Sequence, residues 1–162
     1  MTPIPVIFAV QLDYVIDAPN WRQFGVVAAR LLIAALFGGL LGFDRERLGK
    51  GAGLRTHMLV CVGSALFVLT AASTGMQEGD LSRVIQGTAT GIGFIGAGVI
   101  LKRVEAGAIH GVTTAANVWL VAAVGMAIGI GQISLAVCGS VLGFLILTLV
   151  SPIEDRIGKK QR

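Results

Sequence analysis

The residues of this chain whose types could do chemistry gather in a few places. Asp44-Arg45-Glu46-Arg47 is followed by Gly51-Ala52-Gly53-Leu54-Arg55-Thr56-His57, the densest polar stretch of the sequence. Asn117 lies four positions from Thr113 and three from Thr114, which on a helix puts it one turn from both threonines. Arg30 stands alone within an apolar run. Carboxylates and arginines so grouped can pair, cap helix ends or touch charged lipid headgroups. Hydroxyls and a carboxamide can hydrogen-bond between helices or line a small polar cavity. His57 and His110 open apolar runs, where a lone His caps a helix or serves an interface. Neither has a second His near enough in sequence to suggest a metal. No Ser-His-Asp order, paired catalytic carboxylates, phosphate loop or zinc spacing occurs, so the sequence reads as no enzyme and implies no cofactor.

The elements that must position these groups are set by composition. Of 162 residues 54% are hydrophobic and 14% charged, with a mean hydropathy of +0.81, whereas soluble domains carry about 25% charged residues. Spanning a bilayer takes about 20 mainly apolar residues in a helix. Five runs approach that length: Phe24 to Phe43, His57 to Gly75, Val84 to Leu101, Val112 to Ile130 and Ile133 to Val150. They lack the period-two alternation of barrel strands, so helices are the way to satisfy the backbone in lipid. The predicted fold is an all-α, polytopic membrane bundle of five helices, with residues 1–23 as an extracytoplasmic lead-in, 24–150 as the membrane domain and 151–162 as a basic tail. The lead-in lacks the basic start of a signal peptide. Cys61 and Cys138 fall inside apolar runs and read as small packing residues.

Basic residues flank the runs unevenly. Arg45, Arg47, Lys50, Arg55, Lys102, Arg103, Arg156, Lys159, Lys160 and Arg162 fall on one side, and Arg22 and Arg83 on the other. The richer side is expected in the cytoplasm, with the N-terminus out and the C-terminus in. The formal charge of +4 is therefore topological and implies no nucleic acid.

Twenty-three glycines suggest close helix packing, since small residues four apart share a face and let backbones approach. Such pairs are Gly38 with Gly42, Gly87 with Gly91, Gly125 with Gly129, and Gly139 with Gly143. In the third run Gly87, Gly91 and Gly98 mark one face and Gly93 and Gly96 another, so this helix is predicted at the bundle centre. Gly91 to Gly96 also spells Gly-x-Gly-x-x-Gly. It lacks the strand before it that a dinucleotide site needs, which leaves a packing role or a locally broken helix whose freed carbonyls could hold ions. Arg30 either snorkels to the interface or makes a buried ion pair or anion contact, with Asp13, Asp17, Glu78 and Asp80 within reach by topology.

Asp44 and Glu46 end the first run while Arg55 and His57 open the second, so a short hairpin brings them to one depth. The expectation is that these opposite charges pair, leaving Arg45, Arg47 and Lys50 for lipid. Asp44, Glu46 and Arg55, flanked by Thr56 and His57, are then expected to form an interaction surface with the Thr113, Thr114 and Asn117 end of the fourth run.

Several of these motifs, in order, resemble the membrane domain of the MgtC/SapB family: Gly42 to Arg47, Gly53 to His57, Gly91 to Gly98, and Gly111 to Ala116 followed by Trp119. The resemblance covers roughly Arg30 to Gly131. It implies a bacterial inner-membrane protein of growth in scarce magnesium and, in pathogens, of survival in macrophages. It also implies regulation, with links to the F-type ATP synthase; contacts with other membrane proteins are expected, a homo-oligomer is a further candidate partner, and an ion transporter or channel for magnesium is the alternative. Asp44 stands where the family more often has Glu. Many relatives continue into a soluble C-terminal domain beyond the point at which this chain ends, and functions of that domain are expected to be absent.

Overall fold

The computed structural model describes residues 20–74, 78–101 and 110–150. The lead-in before Asn20, the loop basic residues Lys102 and Arg103 and the tail after Val150 lie outside the described residues. Five helices are long and apolar enough to cross a membrane: α1 (Trp21–Arg47), α2 (Leu54–Ser73), α3 (Glu78–Leu101), α4 (Val112–Ile130) and α5 (Ile133–Leu145). A π-helical turn, Ile146–Val150, carries α5 onward. Among the described residues there is no strand.

The last two helices coincide with their apolar runs. The first is longer than its run, because a helix that satisfies its own backbone in lipid can continue into the polar interface. Thus α1 begins with exposed Trp21, stacked edge-on against Phe24, as suits a membrane interface, and ends in Asp44–Arg47 at the other. α3 is helical throughout, including Gly91 to Gly96, so of the two alternatives for that stretch the broken helix does not occur.

The centre of the bundle is α4 and not the third span. The apolar window of α4 is 56% buried against 11% for α3. The reason lies in which small residues meet a backbone. A Cβ at Gly125 would overlap the carbonyl of Cys61, and one at Gly129 would lie 2.7 Å from that of Ala65, both in α2. Likewise Gly38 and Gly42 of α1 rest against His57, where added carbons would come within 2.6 and 2.8 Å. α2 is therefore clasped between α1 and α4 with almost no intervening side chains, and Val118, Val121, Ala122 and Ile128 fill the interior. Dispersion between such close surfaces takes the place of the hydrophobic drive that lipid removes.

By contrast Gly87, Gly91, Gly93 and Gly98 have open space around them among the described residues, whereas Gly96 meets the Ala115 side chain at 3.5 Å. α3 is attached along one side, through Ile92 and Gly96. Small residues permit approach from any quarter, and no neighbour meets these faces of α3 among the described residues.

The tight α4–α5 hairpin occurs as expected and explains Arg30. Gly131 ends α4 at φ +96°, a left-handed conformation that costs other residues about 1 kcal/mol or more. Arg30 of α1 donates from Nη1 to the carbonyl oxygen of Gly129 at 2.9 Å. A guanidinium thus satisfies an orphan carbonyl at the negative end of α4. Of the alternatives open to Arg30, the ion pair does not form among the described residues; its guanidinium reaches to the α4–α5 turn. Replacing Arg30 with Met is expected to lower stability by about 1.5–3 kcal/mol, the range for a hydrogen bond to a charged group. Thermal unfolding in detergent measures this, and an unchanged midpoint would show that the contact contributes nothing.

Candidate functional site: a buried polar node under a charged rim

At the opposite end of α1 the chain turns through residues 48–53 into α2. Gly53 opens α2 without a side chain to cap it. Glu46 does so from a distance: its Oε2 accepts from the backbone N–H of Leu54 at 3.0 Å. A carboxylate at a helix N-terminus is favoured by the dipole. A Cβ at Gly53 would overlap that carboxylate, so a side chain there would push Glu46 off the start of α2.

One turn into α2, His57 is fully buried. Its Nδ1 lies 2.8 Å from the Gly53 carbonyl oxygen, which can only accept, so Nδ1 carries the proton. Its Nε2 is then the acceptor for the Asn117 amide at 2.9 Å, which fixes both the tautomer and the amide orientation. The same amide nitrogen reaches the Leu41 carbonyl at a long 3.4 Å. Three helices are thereby tied at one polar point, with α1 giving a carbonyl, α2 an imidazole and α4 a carboxamide.

Around this point the charge is positive. Arg45, one turn beyond Leu41, is 5% exposed and its Nε is buried without a hydrogen-bond partner. The Asn117 Oδ1 is also buried and unpartnered, as is the Ser64 hydroxyl deeper in α2. Thr114 is buried one turn before Asn117. Both ring nitrogens of the neutral His57 imidazole are already taken up, so the positive charge here is that of the Arg45 guanidinium, which suits an acceptor and opposes a dication. Among the described residues no three His, Cys, Asp or Glu side chains converge on a possible metal site.

Of the sequence candidates, the fold brings together His57, Asn117 and Thr114. Thr113 and Arg55 are exposed, and Thr56 and Asp44 are half-buried. The expected pairing of Asp44 and Glu46 with Arg55 does not form: the one ion pair among the described residues is Arg83 with Asp80, at 3.7 Å and exposed. Glu46 is taken up by the start of α2, and Arg55 projects outward from that helix. Sequence reasoning also assigned Arg45 to lipid, whereas it faces the interior. The missed signal was its period with Gly38, Leu41 and Gly42, which places Arg45 on the buried face of α1.

The sequence profile of the MgtC family matches residues 31–156. The chain is 43% identical over 141 residues to YhiD of Escherichia coli (strain K12), named as a candidate magnesium transporter, covering 81% of this chain and 63% of that one. It is 44% identical to protein SrpB of Synechococcus elongatus, covering 83% and 79%, and 42% identical to protein MgtC of Brucella abortus (strain 2308), covering 82% and 55%. Of the lengths of YhiD and the Brucella MgtC, the chain thus spans less than two thirds. No solved structure matches it. With five spanning helices and this similarity along most of its length, the chain is a multi-pass membrane protein that belongs to the MgtC family.

Proposed function

We propose that the chain is a regulatory membrane protein of adaptation to scarce magnesium, acting through helix contacts with other membrane proteins such as the F-type ATP synthase. The basic rim faces the cytoplasm in this reading. The observation that supports it is the one-sided attachment of α3, which leaves Gly87, Gly91, Gly93 and Gly98 with open space. In lipid, small residues on an open helix face are what a second helix needs for close approach. The positive polar node supports regulation over passage of magnesium, a hard dication that takes oxygen ligands, carboxylates among them. The name of YhiD ties that relative to magnesium.

Gly91→Leu is the test. Because Gly91 has open space around it among the described residues, the variant is expected to fold and melt as the parent does, yet to lose growth in low magnesium. Gly63→Leu, equally unobstructed but on α2, is expected to keep it. Equal growth of both variants would remove the α3 face from the function. Magnesium flux by the purified chain in proteoliposomes, with growth following flux, would replace regulation by transport.

A further inference from the structure

Between α1 and α5 lies an apolar groove of about 410 Å³. Phe37, Leu40 and Leu41 form one wall, and Val137, Val141 and Phe144 the other. Ser140 lines the groove with its hydroxyl covered, so the surface offered is hydrocarbon. The groove lies within the size range of small-molecule pockets, about 300–1,000 Å³.

Its length and its end identify an occupant. The groove follows α5 from Val137 to Leu145, about 12 Å at 1.5 Å per residue. That is close to one leaflet of a hydrocarbon core about 30 Å thick and well short of what a spanning partner helix would cover. α1 and α5 run parallel, and both end at the basic rim. The groove-facing stripe of α1 continues there, since Asp44 is seven residues beyond Phe37 and Arg47 seven beyond Leu40, with Asp44 and Arg47 three apart. Neither makes an ion pair. Asp44 is half-buried, and Arg47 is exposed with its guanidinium 5.8 Å from the Phe43 ring centroid. Arg45, between them in sequence, turns inward to the polar node. An apolar groove one leaflet deep therefore runs toward a carboxylate and a guanidinium on the same stripe of α1, neither of them in an ion pair.

We infer that this groove holds one acyl chain of an aminophospholipid, whose ammonium donates to the Asp44 carboxylate and whose phosphate accepts from Arg47. A zwitterionic headgroup with a primary ammonium matches both charges. A phosphatidylglycerol headgroup can give its phosphate to Arg47 but has no ammonium for Asp44, and a phosphatidylcholine trimethylammonium has no N–H to give.

The test is lipid retention by the detergent-purified full chain, titrated by native mass spectrometry with phosphatidylethanolamine, phosphatidylcholine and phosphatidylglycerol of matched chains. Phosphatidylethanolamine is expected to bind about tenfold more tightly than the other two, the scale of one charge-assisted hydrogen bond. Asp44→Asn is expected to bring it down to the phosphatidylcholine level, and Arg47→Gln to weaken all three. Ser140→Phe is expected to fill the groove and abolish retention. Should that variant fail to fold, the rim substitution Asp44→Asn still decides the matter. Equal retention of the three lipids, a preference for phosphatidylglycerol, or a preference for phosphatidylethanolamine that survives Asp44→Asn would overturn the inference. Retention is read without growth or a partner protein, so its outcome is independent of the regulatory reading.

Discussion

Gly125→Ala is expected to abolish the folded bundle or to destabilise it by several kcal/mol, although it adds a single methyl group. The new Cβ would overlap the Cys61 carbonyl, with the Cys61 Cα only 3.0 Å away. The obstruction is backbone on a helix that is itself held by α1, so no flexible side chain can yield. Overpacking of a well-packed core typically costs about 1–3 kcal/mol, and a clash between two main chains lies at or above the top of that range. Folded yield and thermal midpoint in detergent measure the effect, with the tolerated Gly91→Leu as comparison. If Gly125→Ala melts like the parent, α2 and α4 do not cross as closely as described.

The second large effect is expected at the polar node. His57→Leu leaves the Asn117 amide without its short acceptor, and Asn117→Leu leaves the buried His57 Nε2 without a donor. Each is expected to cost about 1–3 kcal/mol, the penalty of stranding a buried polar group. The double substitution should cost less than the two singles together, because the second removes the group that the first stranded. The coupling is expected near 1 kcal/mol, toward the upper end of measured polar pairs between membrane helices, which average about 0.6. Strictly additive losses would mean that the two side chains do not act as a pair.

How much of this was legible from the sequence depends on which physical constraint speaks. Lipid demands long apolar helices, and that demand is local, so five spans and the α4–α5 hairpin could be read directly. α4 and the fifth span begin and end where their runs do. Which helix sits at the centre is not local. The glycines of α3 and of α4 carry the same message, that something can come close, and only the placement of Cys61 and Ala65 opposite Gly125 and Gly129 assigns the contact to α4. The charged rim was misjudged for a related reason. Arg45 and Arg47 are alike in type and two positions apart, but two residues on a helix differ by about 200°, which sends one inward and the other outward. His57 and Asn117 were both marked as candidates from their types. Their pairing needs the α2–α4 crossing, and nothing within either segment announces it.

The extension of α1 beyond its apolar run has a consequence for how the rim can change. Asp44, Arg45, Glu46 and Arg47 are presented by the last turns of a continuous helix and not by a loop. Their bearings are consequently geared to the bundle below. One residue gained or lost between Gly42 and Asp44 would rotate all four by about 100° and shift them by about 1.5 Å, carrying Arg45 off the interior face and Glu46 away from the start of α2. A loop rim absorbs such length changes by adjusting its path. Here the four side chains must be exchanged one for one, within a fixed phase, like teeth on a shaft.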